Sequence, residues 1–284
     1  KPCNVVVIGG GTAGLEAACT AAEVGCNTFL LEKGSELGGL ASLISKIPAK
    51  NRLADFPHYL MHRAEQLDNL YIFKNTEGTP ENIRKFHPNI IVSSTGSAPL
   101  LPPIAGLKDR IDNENYNIYS ILGMINHIND FPKDLEGKKV VVVGGGAVGL
   151  DVVEFFADRN ADISIVEMMD QIGRDLDPVS KNDTKAMMKK HNVHQLTKTA
   201  LLEVKDSSFL VKGDGEPYEL PFEYGFVCLG MRAQGQLYQS LAEEFSSEDV
   251  EIMNIGDSQR ARRIIDGTQE GRNILTILEQ RGYL

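Results

Sequence analysis

One pattern repeated at a fixed offset constrains this chain more than any other feature. Residues 9–39 lie over residues 144–174 without a gap, every matched feature being 135 positions apart (144 − 9). The apolar run Val5 to Ile8 leads into Gly9-Gly10-Gly11-Thr12-Ala13-Gly14, and Val140 to Val143 leads into Gly144-Gly145-Gly146-Ala147-Val148-Gly149. Each glycine set opens a helical pattern, Leu15 to Val24 or Leu150 to Arg159, that stops at a residue tolerant of left-handed backbone, Gly25 or Asn160. A second strand follows, Thr28 to Glu32 or Ile163 to Glu167, and ends on an acid 18 residues beyond the last glycine (32 − 14; 167 − 149). Two such copies predict an α/β fold with two Rossmann-like units.

The spacing carries a specific chemistry. A first glycine permits the tight turn after the strand, a second lets backbone approach a pyrophosphate, and a third lets helix and strand pack closely. Free N–H groups and the positive end of the helix dipole attract phosphates, while the acid accepts hydrogen bonds from ribose hydroxyls. One G-x-G-x-x-G is weak evidence, because glycine-rich turns are common. Two, each with its acid at the same distance, predict two dinucleotide sites: Gly9, Gly11, Gly14 and Glu32 at the first, Gly144, Gly146, Gly149 and Glu167 at the second. Met168-Met169-Asp170 follows Glu167, so no arginine there meets a 2′-phosphate and a second acid repels it; NADH is expected rather than NADPH.

Further apolar runs show how the units share one chain. Asn89 to Ser93 leads into Ser94-Thr95-Gly96-Ser97-Ala98-Pro99, and Phe226 to Leu229 into Gly230-Met231-Arg232, 134 positions on (230 − 96). Each ends a sheet at its nucleotide edge, where glycine lets the chain pass close to a cofactor. Pro99 to Pro103 suits a linker, and Gly235 stands near the return. One unit is therefore expected inside the other: residues 1–103 and 233–284 as a discontinuous FAD-binding domain, 104–232 as an NAD(H)-binding domain. Later, Glu251 to Ile255 runs into Gly256-Asp257 and then a helix predicted from Ile264 through Glu279. Asp257 is placed to take a ribitol hydroxyl, and the helix start at Arg263 and Ile264 to face a flavin's carbonyl edge; read alone, these residues equally fit a turn aspartate and a solvated basic loop.

Composition narrows the class. With 284 residues, 42% of them hydrophobic, two cores can be packed. No apolar run nears the roughly 18–20 residues of a membrane span and residues 1–20 lack a signal-peptide pattern, so a cytoplasmic protein is expected. A net charge of −10 argues against nucleic-acid or membrane surfaces, the local basic stretch Arg260, Arg262 and Arg263 notwithstanding. Cys3, Cys19, Cys26 and Cys228 form no CxxC and no cluster spacing; they read as packed, reduced thiols, and no metal site is expected. His191 and His194 read as a solvated helix end. Because the first residue is Lys1 and a strand starts almost at once, the chain is expected to be a piece of something longer.

In this order of motifs the chain resembles the two-dinucleotide-binding flavoproteins, and most of all the C-terminal FAD/NAD half of the Old Yellow Enzyme-related multidomain reductases, the group of 2,4-dienoyl-CoA reductase, enoate reductase, the bile-acid-inducible oxidoreductases and trimethylamine dehydrogenase. The resemblance runs through the two glycine sets, Glu32 with Glu36-Leu37-Gly38-Gly39, Ser94 to Pro99, Gly256-Asp257 and the ending Arg262 to Gly271. It implies FAD held by Gly9, Gly11, Thr12, Ala13, Gly14, Glu32, Lys33, Gly38, Gly39, Leu40, Thr95, Gly96, Gly256, Asp257, Arg263 and Ile264. It implies NAD(H) held by Gly144, Gly146, Ala147, Val148, Gly149, Glu167 and Gly230. Where the family carries Gly-Gly-Gln near the flavin, this sequence has Gly38-Gly39-Leu40. The resemblance also implies an FMN barrel and a four-iron cluster upstream in the complete protein, taking electrons from the FAD; one relative keeps only ADP in the corresponding FAD site.

Hydride transfer between nicotinamide and flavin belongs to the cofactors and needs stacked rings and excluded water, so binding residues are expected and no catalytic acid or base. Three rivals are weighed against this. A disulfide reductase needs a redox cysteine pair that the four cysteines do not form. A stand-alone ferredoxin or rubredoxin reductase would carry the same motifs, and a non-catalytic module would bind ADP alone. A homo-oligomer is left open.

Overall fold

The structure is a computed structural model that describes residues 1–284. Its first sheet is parallel, in the order Glu251–Asn254, Ile90–Ser93, Asn4–Ile8, Asn27–Leu31, Leu70–Phe73. The run Val5-Val6-Val7 is continuous rather than alternating because both faces are covered. Val5, Val7, Leu30 and Val92 pack on Leu15, Ala18 and Cys19 of the helix Thr12–Glu23. Val6, Ile8, Leu31 and Ile91 pack on the other side with Ile83, Leu241 and Phe245.

The second sheet repeats the plan: Ile118–Tyr119, Tyr224–Val227, Lys139–Val143, Asp162–Val166, His194–Leu196, again all parallel. An antiparallel meander, Ala200–Val204, Ser208–Lys212 and Tyr218–Pro221, brings Phe209, Val211 and Phe222 onto Val141, Val143 and Val227. Aromatic rings also fill this unit's core, with Phe156 and Phe226 centroids 4.8 Å apart and Phe131 and Phe156 5.1 Å apart. The α/β class with parallel sheets is the one the repeat predicts.

The chain divides into two compact units, one of Lys1–Lys46, Lys50–Ala98 and Arg232–Leu284, the other of Ile47–Ala49 and Pro99–Met231. The two crossing segments, Ser97–Pro99 and Met231–Ala233, pair as a two-stranded ribbon. No helix is long and apolar enough to cross a membrane.

Two local expectations are corrected. The helix expected from Ile264 through Glu279 is two helices, Ile264–Arg272 and Ile274–Gln280, parted at Asn273. Asparagine is a weak helix former, because its side chain competes for backbone groups. His191 does cap the helix Pro178–Lys190, but His194 opens the last strand and its Nε2 meets Asp162 Oδ1 at 3.1 Å.

Candidate functional site

The glycines of each loop separate into three physical roles. Gly9 and Gly144 turn the chain at φ of +102° and +109°, and a Cβ there would stand 2.2 Å from the Ser94 carbonyl oxygen or 2.0 Å from that of Cys228. Gly14 and Gly149 sit where a Cβ would fall 1.9 Å from the carbonyl oxygen of Gly9 or Gly144. Gly11 and Gly146 differ. Their φ of −75° and −81° suits any residue, and a Cβ would find its nearest protein atom at 3.9 Å in the first case and nothing within 4 Å in the second. Neither backbone strain nor packing asks for glycine there, so the open space is what the residue preserves.

Gly11 and Gly146 are also the N-caps of the helices Thr12–Glu23 and Ala147–Ala157, and no side chain caps either end. The leading amides, Thr12 and Ala13 or Ala147 and Val148, therefore face an anion-attracting opening. Both cradles suit a pyrophosphate, since beside the first turn the Cβ position of Gly11 meets its nearest atom at 3.9 Å and that of Gly146 meets none within 4 Å.

Each acid is held from the backbone. Glu32 accepts the Gly10 N–H at Oε2 and the Gly34 N–H at Oε1, both at 2.7 Å. Glu167 accepts the Gly145 N–H at 2.7 Å and the Met169 N–H at 2.8 Å. One bond to each oxygen fixes the carboxylate and leaves lone pairs for a ribose diol. The sequence motif assigns no role to Gly10 and Gly145, yet both serve this setting. A Cβ at Gly10 would press to 2.5 Å from Leu37 Cδ2, and one at Gly145 to 2.9 Å from Glu167 Oε2. The triple glycine in both copies is the signal that marks them.

At the first site, Gly38 (φ +100°) donates its N–H to the Gly10 carbonyl at 2.8 Å, and a Cβ on Gly39 would lie 2.9 Å from Gly11 Cα. Leu40 follows in the short helix Gly39–Ile44, and Lys33 is exposed beside Glu32. Thr95 Oγ1 donates to the Gln234 carbonyl at 2.6 Å, and Gly96 (φ +74°) accepts the Gln234 N–H at 3.0 Å. At the second, Gly230 (φ +99°) accepts the Leu100 N–H at 2.9 Å.

Asp257 is already engaged within the protein: Oδ2 accepts from Ser97 Oγ and Oδ1 from the Arg262 N–H, both at 3.0 Å. Arg263 is the N-cap of the helix Ile264–Arg272, and its N–H is accepted by Asp266 at 3.2 Å. Arg262 pairs with Glu270, which also accepts the Gly256 N–H at 2.7 Å. A seam of small residues, absent from the sequence reading, draws this helix onto the first loop. A Cβ on Gly271 would stand 2.8 Å from the Ala13 carbonyl oxygen, on Gly267 3.2 Å and on Gly256 2.9 Å from Ala13 Cβ. Gly256, Gly267 and Gly271 thus bring the Arg263 end beside Gly9 to Gly14.

All four cysteines are free and buried. Burial pushes the Cys19 thiol up to about 11 and the Cys228 thiol to about 12, so neither is poised as a thiolate.

Two parallel sheets, each with an open glycine cradle and a backbone-held acid, define a two-dinucleotide-binding α/β oxidoreductase module. The pyridine nucleotide-disulphide oxidoreductase family profile matches residues 3–252, and the chain belongs to that family, whose cofactors are FAD and NAD(H). It is by class a module of the NAD(P)H-dependent flavin oxidoreductases.

The chain is 28% identical over 269 residues to an NADH oxidase of Thermoanaerobacter brockii, covering 94% of this chain and 40% of that protein. It is 29% identical over 270 residues to a bilirubin reductase of Mediterraneibacter gnavus, again covering 94% and 40%. In fold it is similar to 2-naphthoyl-CoA reductase (TM-score 0.81, 24% identity, 96% of this chain and 39% of the other). It is likewise similar to histamine dehydrogenase from Rhizobium sp. 4-9 (TM-score 0.82, 17% identity, 96% and 41%). The two-dinucleotide-binding class that the motifs suggest is thus the one its family and fold share, and the chain spans 40% of the length of both curated relatives.

Proposed function

We propose that this chain is the NADH-to-FAD module of a larger Old Yellow-type reductase, with FAD in the unit of Gly9 to Gly14, NAD(H) in the unit of Gly144 to Gly149, and an FMN and iron–sulfur domain of the same protein as electron acceptor. One observation carries it: Gly11 and Gly146, 135 positions apart, both keep open a space that nothing in the protein requires. Bound FAD and NADH supply the hydride chemistry themselves. The residues of the chain bind and orient. Gly11 and Gly146 admit the pyrophosphates, the leading helix amides attract their charge, Glu32 and Glu167 fix the riboses, and the Arg263–Ile264 helix end presents its dipole to the first site.

In a second reading the first site holds ADP alone in a non-catalytic module; Asp257, with one internal bond on each oxygen, keeps lone pairs for a ribitol hydroxyl, which supports the FAD reading over it. A stand-alone ferredoxin- or rubredoxin-type reductase would share every residue named.

The purified protein is expected to be yellow, to release FAD on denaturation and to bleach under anaerobic NADH. Turnover with ferricyanide or a quinone dye is expected, and none with enoyl substrates. A colourless protein that FAD cannot reconstitute selects the ADP reading; enoyl reduction at the dye rate places a substrate site within this chain.

A further inference from the structure

Of the eight methionines in the chain, two stand out in solvent. Met124 and Met188 are buried, and Met61, Met187, Met231 and Met253 are partly so. Met168 is 68% exposed and Met169 41%. These two are sequence neighbours and directly follow Glu167. Met169 belongs to the acid's setting: its N–H donates to Glu167 Oε1 at 2.8 Å and its carbonyl accepts the Lys198 N–H at 2.8 Å. Exposed methionines are open to oxidation and buried ones are shielded, so the two most exposed methionines of the chain directly follow the ribose acid of the second site.

The repeat provides an internal comparison. Lys33 and Gly34 stand 135 positions earlier, and the Gly34 N–H holds Glu32 at 2.7 Å as the Met169 N–H holds Glu167. The backbone bond is common to both sites, and a glycine suffices to make it. Holding the acid therefore does not require a methionine side chain, and only the second site carries an oxidisable one.

We propose that Met168 and Met169 form a peroxide-sensitive modification site that weakens NADH binding when oxidised; this rests on the NAD(H) reading of the second site. Each thioether sulfur takes one oxygen atom from hydrogen peroxide to form methionine sulfoxide, and the peroxide, reduced by the same two electrons, leaves as water. FAD held at the first site and reduced by NADH would pass two electrons to oxygen where no proper acceptor is present, returning to oxidised FAD as the oxygen, with a proton, became hydrogen peroxide. The oxidant would thus be a by-product of NADH consumption, and its reaction at these methionines would slow further consumption. The sulfoxide replaces an apolar side chain with a strongly polar one beside Glu167, where the adenosine half of NADH is seated.

The test treats the holoprotein with millimolar hydrogen peroxide, removes it with catalase, and follows methionine oxidation by peptide mass mapping and NADH binding by calorimetry. Expected are additions of about 16 Da at Met168 and Met169 ahead of Met124 and Met188, and a rise of about five-fold in the NADH Kd with FAD content unchanged. Methionine sulfoxide reductase is expected to restore the affinity. The variant M168L/M169L is expected to change by less than about two-fold on the same treatment, whatever its starting affinity. Uniform oxidation of all eight methionines, or full oxidation at Met168 and Met169 with an unchanged Kd, overturns the inference and leaves the NAD(H) site standing. Untreated protein that binds no NADH overturns the site and the inference together.

Discussion

An alanine methyl at Gly14 would stand 1.9 Å from the carbonyl oxygen of Gly9. Gly11, between them, would point its methyl into open space. Two substitutions three positions apart therefore separate packing from binding. Gly14→Ala is expected to cost the apoprotein about 3 kcal/mol or its fold. Gly11→Ala is expected to leave the apoprotein melt within about 1 kcal/mol and to weaken FAD about tenfold or more. Equal losses in Tm for both variants would mean that protein packing, not a ligand, fills the space at Gly11.

Glu167 holds two amides at 2.7 and 2.8 Å, and Glu167→Ala leaves both without that acceptor. The substitution is expected to weaken NADH by about 1–3 kcal/mol. In anaerobic titration the wild type should bleach at lower NADH than NADPH. A matching response to the two cofactors would remove the discriminating role given to Glu167.

Cys19 and Cys228 are pushed from an ordinary 9.0 to about 11 and about 12, in both cases chiefly by burial. A folded value above the unfolded one favours the protonated thiol in the fold, so this contribution is complete below about pH 9 and is lost as pH rises through the folded values. At pH 8 iodoacetamide should leave both thiols of the folded protein unlabelled while urea exposes all four cysteines, and the Tm should fall as pH rises above 9. Fast native labelling of Cys228 would show that its burial is only intermittent.

The seam at Gly271 gives a remote lever on the first site. Gly271→Ala drives a methyl to within 2.8 Å of the Ala13 carbonyl oxygen and 3.1 Å of the Ala17 nitrogen. A loss of about 2 kcal/mol is expected, with easier FAD release. Gly215→Ala, which meets nothing within 4 Å, is the control and should melt as the wild type does. If both variants retained FAD and melted alike, the helix would not depend on that close approach.

The first site shows how far the sequence could be read. The repeat predicted both parallel cores and both acids because glycine spacing and apolar runs are local signals with a fixed geometry. The meander over the second sheet is not legible in the sequence, since Ala200 to Pro221 has short strands that take their identity from Phe209 and Phe222 meeting Val141 and Val227. Gly267 and Gly271 carry in the sequence only the signal of a shared family ending. Small residues on a helix bury little apolar surface and carry no periodic signal, and their partner, Ala13, lies about 250 positions away. Asp257 was legible as a carboxylate after a strand, but its engagement with Ser97 and Arg262 is tertiary.

The ribbon of Ser97–Pro99 and Met231–Ala233 also bears on how the chain finds its fold. Glu251–Asn254 must pair with Ile90–Ser93 across the whole interval between Pro99 and Met231. Closing a loop costs chain entropy that grows by about 0.6 kcal/mol with each doubling of its length. Once the intervening unit has formed, its two ends lie side by side, and the remaining gap shrinks to little more than a hairpin's span. The insertion then works as a staple rather than a tether: its own collapse holds the two flanks of the polypeptide within reach of each other and lowers the entropy that pairing Glu251–Asn254 with Ile90–Ser93 must overcome.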